Sequence, residues 1–297
     1  VFFAVPRIWT KFQMGILSKI PQEKLSKLLK IPVLSWVLKR KFKKALGLSK
    51  ARSIVSGAAP LQETQRTWFR KIGVSITNGY GMTENCAITT HLGDGIIDKP
   101  GSVGLAQPGV ELKIDSETSE ILMRGPFMMK EYYKQPELTA EVIKESWLHT
   151  GDQGHIDADG FLFITGRVKD IFKTSKGKYI EPLVLEGYFG DILEFEQICV
   201  AGLGLPQPIC LGVLSEIGLA KPKDELQKYL SDYLEKVNEQ LPGYKKISTL
   251  ILVKDPWAVE NGLMTPTLKI KRNKIDKAYE GNYINWHQDD ASVIFEN

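Results

Sequence analysis

Arg52 to Glu84 reads RSIVSGAAP LQETQRTWFRKIG VSITNGYGMTE. Arg52 to Val55 is β-like, Leu61 to Lys71 has the composition of a helix, and Val74 to Thr77 is β-like again. Strand, helix and strand in so short a span predict a parallel crossover, and so an α/β fold. Each predicted strand runs into a loop of small residues. The first is Ser56-Gly57-Ala58-Ala59-Pro60, and the second is Asn78-Gly79-Tyr80-Gly81-Met82-Thr83-Glu84. Ligands of open α/β sheets bind at the carboxyl ends of strands, so both loops are expected to face one crevice.

Upstream, the opening Val-Phe-Phe-Ala-Val reads as the inside of a strand. Val1 is not an initiator Met and has no signal-peptide layout around it, which suggests part of a longer polypeptide. From Pro21 to Leu48, Leu25, Leu28, Leu29, Val33, Trp36, Val37, Phe42 and Leu46 recur at helical spacing, with Pro32 dividing two helices. Lysines fill the gaps. Between Val1 and Lys50 twelve basic residues face one acid, Glu23, a balance of +11; the whole chain carries +4, so the other 247 residues sum to −7. Two readings follow for residues 19–50: a surface that meets anionic lipid, or a docked helical hairpin with its lysines in water.

Downstream, Lys99 to Arg167 alternates short β-like pieces with the turn signals Pro108-Gly109, Asp115-Ser116 and Asp157-Ala158-Asp159-Gly160. This is the pattern of a small β-barrel-like subdomain or an antiparallel sheet. After Lys169 the pattern changes. Ile198 to Ala201, Leu211 to Ser215 and Leu250 to Lys254 read as strands, and Pro222 to Leu241 as a helix with Leu226, Leu230, Tyr233, Leu234, Val237 and Leu241 along one face. The expected domains are 1–168, a large domain with a partial parallel sheet and the barrel-like piece, and 169–297, a small α+β domain.

Composition removes several classes. With 297 residues, 43% of them apolar, the chain has material for real cores. A net charge of +4 gives no electrostatic case for nucleic acid. Cys86, Cys199 and Cys210 are scattered, without a CxxC pair or a histidine at metal spacing, which suits a reducing, cytoplasmic location. No apolar run approaches the roughly 18 residues that a membrane span needs.

The second loop concentrates chemistry. Tyr80 can stack on a nucleobase, its glycines admit close backbone approach, Thr83 can bond a phosphate and Glu84 can hold Mg²⁺. Without a ligand the same residues would make a Gly-rich turn around a half-buried tyrosine. Three further elements stand with it: Trp147-Leu148-His149-Thr150-Gly151-Asp152, whose carboxylate suits a vicinal diol; Gly166-Arg167-Val168-Lys169-Asp170 at the domain boundary; and Thr265-Pro266-Thr267-Leu268-Lys269. By spacing alone Lys269 is as well explained as a solvated lysine on a basic stretch with Lys271, Arg272 and Lys274.

In this order the four elements resemble the C-terminal half of an AMP-forming acyl-CoA synthetase, of the superfamily that includes luciferases and peptide-synthetase adenylation domains. Val5-Pro6-Arg7-Ile8-Trp9, Glu260-Asn261-Gly262-Leu263 and Thr265 to Lys269 are similar to the long-chain fatty acid branch. The resemblance implies that Gly57, Ala58, Ala59 and Pro60 lie along adenine, that Tyr80 stacks on it, and that Asn78, Gly79, Gly81 and Met82 complete the nucleotide loop. It implies Thr83 at the α-phosphate, Glu84 at Mg²⁺, Asp152 on both ribose hydroxyls and Arg167 on ribose or phosphate. Lys269 would be the catalytic lysine and Lys169 the hinge of a mobile small domain.

Implied substrates are a long-chain fatty acid, ATP and coenzyme A, with residues 19–50 as a possible peripheral contact at the inner membrane face. Leu268 departs from the glycine common at that point in the superfamily. A second departure is larger: the phosphate-gripping run ending in Pro-Lys-Gly does not occur in the sequence, and Gly177-Lys178 has Phe172 where a GxxxxGK loop needs glycine. The chain alone is therefore expected to be close to inactive. Two alternatives stand beside the ligase: transfer of the acyl group to a carrier protein, and a non-catalytic nucleotide-binding or protein-contact role.

Overall fold

The computed structural model describes residues 1–59, 61–91 and 99–296. They divide into two compact units, Val1–Thr165 and Gly166–Asn297.

In the first unit β1 (Phe2–Ala4), β2 (Ile54–Ser56) and β3 (Thr77–Asn78) form a parallel sheet in that order, with Ser56 between Ala4 and Asn78. Helix α1 (Pro6–Leu17) follows β1 with its proline at the first helical position, where no N–H is required. Its Trp9 packs edge-on against Phe2, Phe12 and Phe69, at centroid distances of 5.5, 5.8 and 5.4 Å. Helices α2 (Gln22–Leu29) and α3 (Pro32–Ala45) are separated at Pro32, as the periodicity predicts. Leu25 and Phe42 are buried, and Trp68 Nε1 donates to Gln22 at 2.8 Å, which docks this hairpin on the crossover helix α4 (Glu63–Lys71).

The end of α4 explains a difference from the expected strand at Val74. Gly73 takes φ +85°, its N–H donates to the Arg70 carbonyl, and the Val74 N–H donates to Phe69. These are the paired bonds of a Schellman turn. Val74 thus closes the helix, and the strand begins only at Thr77.

After β3 come β4 (Thr90–His91) and β5 (Leu105–Ala106), an antiparallel pair. A five-stranded sheet follows: β6 (Glu111–Ile114), β7 (Glu120–Arg124), then α5 (Pro136–Val142), β8 (Ile143–Lys144), β9 (Trp147–Ile156) and β10 (Leu162–Arg167). Its order is β10-β9-β7-β6, with β8 beside β9. Among the described residues the ladders do not close into a ring, so this is the antiparallel sheet that the sequence pattern allows. Beyond it the Val103 N–H donates to the Leu162 carbonyl and the Leu162 N–H to the Gly104 carbonyl, both at 2.9 Å, so the segment before β5 lies along β10. The turns fall where the sequence places them; Asp115 Oδ1 accepts from the Glu117 and Thr118 amides, and Asp157 Oδ1 from Asp159 and Phe161.

The second unit contains β11 (Phe172–Lys173) paired with β12 (Tyr179–Ile180), α6 (Pro182–Gly187), β13 (Phe195–Ala201), β14 (Ile209–Leu214), α7 (Glu216–Leu219) and α8 (Lys223–Glu239). It ends with β15 (Leu250–Leu252), α9 (Arg272–Tyr279), α10 (Tyr283–Gln288) and β16 (Val293–Phe295). The sheet order is β13-β14-β15-β16. Strand periodicity splits its core in two. Val200, Cys210, Leu250 and Leu252 pack with Leu226, Leu230, Leu234 and Val237 of α8, while Cys199, Leu211, Ile251 and Val253 pack with Ile275 and Tyr283 on the other face.

Candidate active site

Ser56 and Asn78 end adjacent parallel strands, so the two small-residue loops leave the sheet side by side. The Gly79 N–H donates to the Ser56 carbonyl at 3.0 Å. Ala58 holds a left-handed φ of +68°, and Pro60 lies outside the described residues. Among the described residues the buried Ser56 hydroxyl has no hydrogen-bond partner.

The second loop is braced along its length. The Tyr80 N–H donates to Thr90 Oγ1 and the Tyr80 carbonyl accepts from the Thr89 and Thr90 amides. Thr83–Asn85 form one short turn, held by Asn85 Oδ1 accepting from the Met82 N–H at 3.0 Å. Gly81 is required by space: a Cβ there would lie 2.3 Å from the Ala87 carbonyl carbon. Beneath the loop, Tyr80 packs on Ile121 and Leu162, and Met82 against the cluster of Val110, Met123 and Leu148. Tyr80 is 9% exposed, more buried than the half-buried tyrosine of a plain turn.

Asp152 reaches this loop from β9. Glu120 of β7 pairs with Gln153 and Leu122 with His149, so Ile121 alone stands opposite Thr150 to Asp152. Such a bulge re-aims a side chain. Thr150 Oγ1 donates to the Ile121 carbonyl at 2.7 Å, the Gly151 N–H donates to Glu120 Oε1 at 2.7 Å, and Glu120 Oε2 also bonds His149 Nδ1 at 2.9 Å. The outcome is a 2.8 Å hydrogen bond from the Tyr80 hydroxyl to Asp152 Oδ2. A carboxylate accepts at about four lone-pair positions, so this bond is compatible with further bonds to a diol.

Glu84 has a partner that sequence reasoning missed. The Tyr132 hydroxyl donates to Glu84 Oε1 at 2.7 Å, and the Met129 N–H donates to the Glu84 carbonyl. The bond to this carboxylate, together with burial, pushes the Tyr132 phenol up to about 12 and keeps it a donor. No signal in the sequence linked two residues 48 apart. Among the described residues no three His, Cys, Asp or Glu side chains cluster as a metal cage. One hard-oxygen carboxylate beside a loop of small residues fits a Mg²⁺ that arrives mainly on phosphate and water.

The remaining candidates belong to the second unit. Arg167 is exposed at the end of β10, and Lys169 is exposed in the turn Val168–Asp170. Lys269 lies on a tight loop: the Thr265 N–H donates to the Lys269 carbonyl at 2.8 Å, the Lys269 N–H to Thr265 Oγ1 at 3.1 Å, and Met264 bridges to Ile270. Leu268 takes φ +62°, the left-handed conformation that glycine favours. Just beyond, Arg272 Nη2 pairs with buried Glu186 at 2.5 Å, and its Nε with Asp170 at 3.3 Å. This cluster also escaped sequence reasoning. Burial pushes the Glu186 carboxyl up, against the pull of Arg272.

Solved structures give the class. The chain is similar to the A-PCP didomain of carboxylic acid reductase from Segniliparus rugosus in complex with AMP, at 25% identity and a TM-score of 0.73, over 97% of this chain and 41% of that one. The fold is that of the adenylate-forming enzymes. The sequence model of the AMP-binding enzyme family matches residues 1–133. Among curated relatives, "Long chain acyl-CoA synthetase 2" of Arabidopsis thaliana is 30% identical over 95% of this chain and 50% of its own length. A chloroplastic long-chain-fatty-acid–[acyl-carrier-protein] ligase of the same plant is 32% identical over 81% of this chain and 36% of its length. The chain thus spans half or less of the length of these relatives.

Proposed function

We propose that this chain supplies the adenine and ribose side, the metal carboxylate and the adenylating lysine of an AMP-forming long-chain acyl-CoA ligase. The observation that carries the reading is the Tyr80–Asp152 hydrogen bond, which joins the small-residue loop to the bulge of β9. Asp152 accepts from the ribose hydroxyls, and Thr83 bonds the α-phosphate. Mg²⁺, held in part by Glu84, would neutralise phosphate charge.

A fatty carboxylate oxygen attacks the α-phosphorus of ATP, a P–O bond forms, and pyrophosphate leaves with the electron pair of the broken bond. Two anions meet in that step, so a cation bridging them acts most strongly in the transition state. Lys269 is assigned that role, and Lys169 that of a hinge residue. A thiol then attacks the acyl carbon, its proton is lost, and AMP departs. Coenzyme A is the preferred thiol. The similarity to an acyl-carrier-protein ligase at 32% identity keeps a carrier's phosphopantetheine arm as the second reading.

The test uses a polypeptide that joins this chain to a phosphate-gripping loop. Lys269→Ala should abolish adenylate formation from palmitate and ATP, while a supplied palmitoyl-adenylate is still converted to thioester. Equal loss in both half-reactions would refute the assignment. Acylation of a holo carrier protein but not of free coenzyme A would select the second reading. This chain alone should show almost no adenylation.

A further inference from the structure

The α2–α3 hairpin has an inner face that is used and an outer face that is not. Leu25 and Phe42 point inward at 1% and 9% exposure, Ser35 is buried with them, and Gln22 is tied to Trp68. Lys39 lies against Gly73, where an added Cβ would come within 3.1 Å of the lysine Cβ. The hairpin is therefore firmly seated on the body of its unit. Yet Ile31, Val33 and Trp36, at its apex and along the first turn of α3, are 53%, 76% and 59% exposed.

Val33, Trp36, Arg40 and Lys44 follow one another at i, i+3, i+7 and i+11, a single stripe of the helix opposite buried Phe42. The Arg40 guanidinium lies over the exposed Trp36 ring, 4.6 Å from its centroid. Around this stripe Lys24, Lys27, Lys30, Lys41 and Lys44 are exposed. Residues 19–50 contain ten Lys and Arg against Glu23 alone.

We infer that this outer face docks on anionic lipid membrane, with Ile31, Val33 and Trp36 entering the headgroup region and the flanking lysines meeting lipid phosphates. Both halves of the surface find a match there. Apolar side chains leave water, the indole suits the interface, and the cations meet a surface of opposite charge. A second copy would present the same cationic stripe to itself, so self-association is opposed by like charge. Among the described residues no helix is long and apolar enough to cross a membrane, so the contact is peripheral. The inference is independent of the reaction proposed above.

Co-sedimentation of the chain with phosphatidylcholine vesicles, with and without phosphatidylglycerol, tests it. Binding should need the anionic lipid and weaken as salt shortens the Debye length from about 10 Å at 0.1 M to about 3 Å at 1 M. Val33→Ser with Trp36→Ser should weaken partition by about tenfold or more through lost apolar contact. Lys41→Gln with Lys44→Gln should weaken it about fivefold per lysine and flatten the salt dependence. All four positions are outside the core, and thermal melts of both variants should match the parent; the lysine pair keeps the test alive if the apolar pair unfolds. Equal binding to both vesicle types, no binding, binding unchanged in both variants, or a Trp36-dependent dimer in sedimentation velocity would each overturn the inference.

Discussion

Leu268 shows how one dihedral links sequence to loop geometry. A leucine at φ +62° carries a left-handed penalty of about 1 kcal/mol, whereas glycine has no Cβ clash but loses more chain entropy. Leu268→Gly should therefore leave stability within about 1 kcal/mol of the parent, while Leu268→Val should destabilise by about 1 kcal/mol or more. Urea denaturation of the whole chain measures both. Glu84 allows a second prediction. In a polypeptide that joins this chain to a phosphate-gripping loop, removing the hydroxyl that fixes this carboxylate, by Tyr132→Phe, should raise the Mg²⁺ concentration needed for half-maximal adenylation several-fold, with little change in KM for fatty acid. An unchanged Mg²⁺ titration would confine Tyr132 to packing. Such partners were not legible beforehand, because a tyrosine 48 residues away carries no periodic or local mark. The residues of the loops themselves were legible, since small and polar types crowd there in one stretch.

Periodicity works for elements that keep one face buried. It located α2, α3 and α8, whose apolar residues repeat at helical spacing, and it located β13 and β14 by their density of β-formers. It failed where an element is short or held by distant partners. Residues Val293–Phe295 form an edge strand only because β15 offers it a parallel ladder, and Val74 was withdrawn from its strand by the capping turn at Gly73. The Arg272 cluster, which ties the start of α9 to α6, leads to a prediction at this scale. Arg272→Met would strand the Glu186 carboxylate in a buried place and should cost about 3–5 kcal/mol. Adding Glu186→Gln removes the stranded charge, so the double variant should recover part of that loss. A double-mutant cycle by denaturation gives the coupling; strictly additive losses would mean the pair is not energetically coupled.

For the whole molecule, the division of roles proposed for the two units can be read by ligand linkage. A nucleotide that binds only the native state stabilises by RT ln(1 + [L]/Kd), about 2.7 kcal/mol at a hundredfold excess over Kd. If the recognition of AMP rests on the loops of the first unit and on Asp152, then Asp152→Ala should erase the thermal shift produced by AMP. Lys269→Ala should retain it, because that lysine is assigned to the reacting phosphate and not to the nucleoside. Differential scanning fluorimetry with increasing AMP decides the matter, and loss of the shift in both variants would contradict this division.

The order of strands in the second unit also sets a schedule. Its sheet is completed by β16, from residues 293–295, which lie beyond α9 and α10 in the chain and yet pair directly with β15. During synthesis, the ribosome must release Phe295 before that ladder can form, whereas β1, β2 and β3 of the first unit have all been made by Asn78. The first unit can thus begin to order while the second is still a sheet with an unpaired edge, a stage at which exposed strand edges are prone to aggregate.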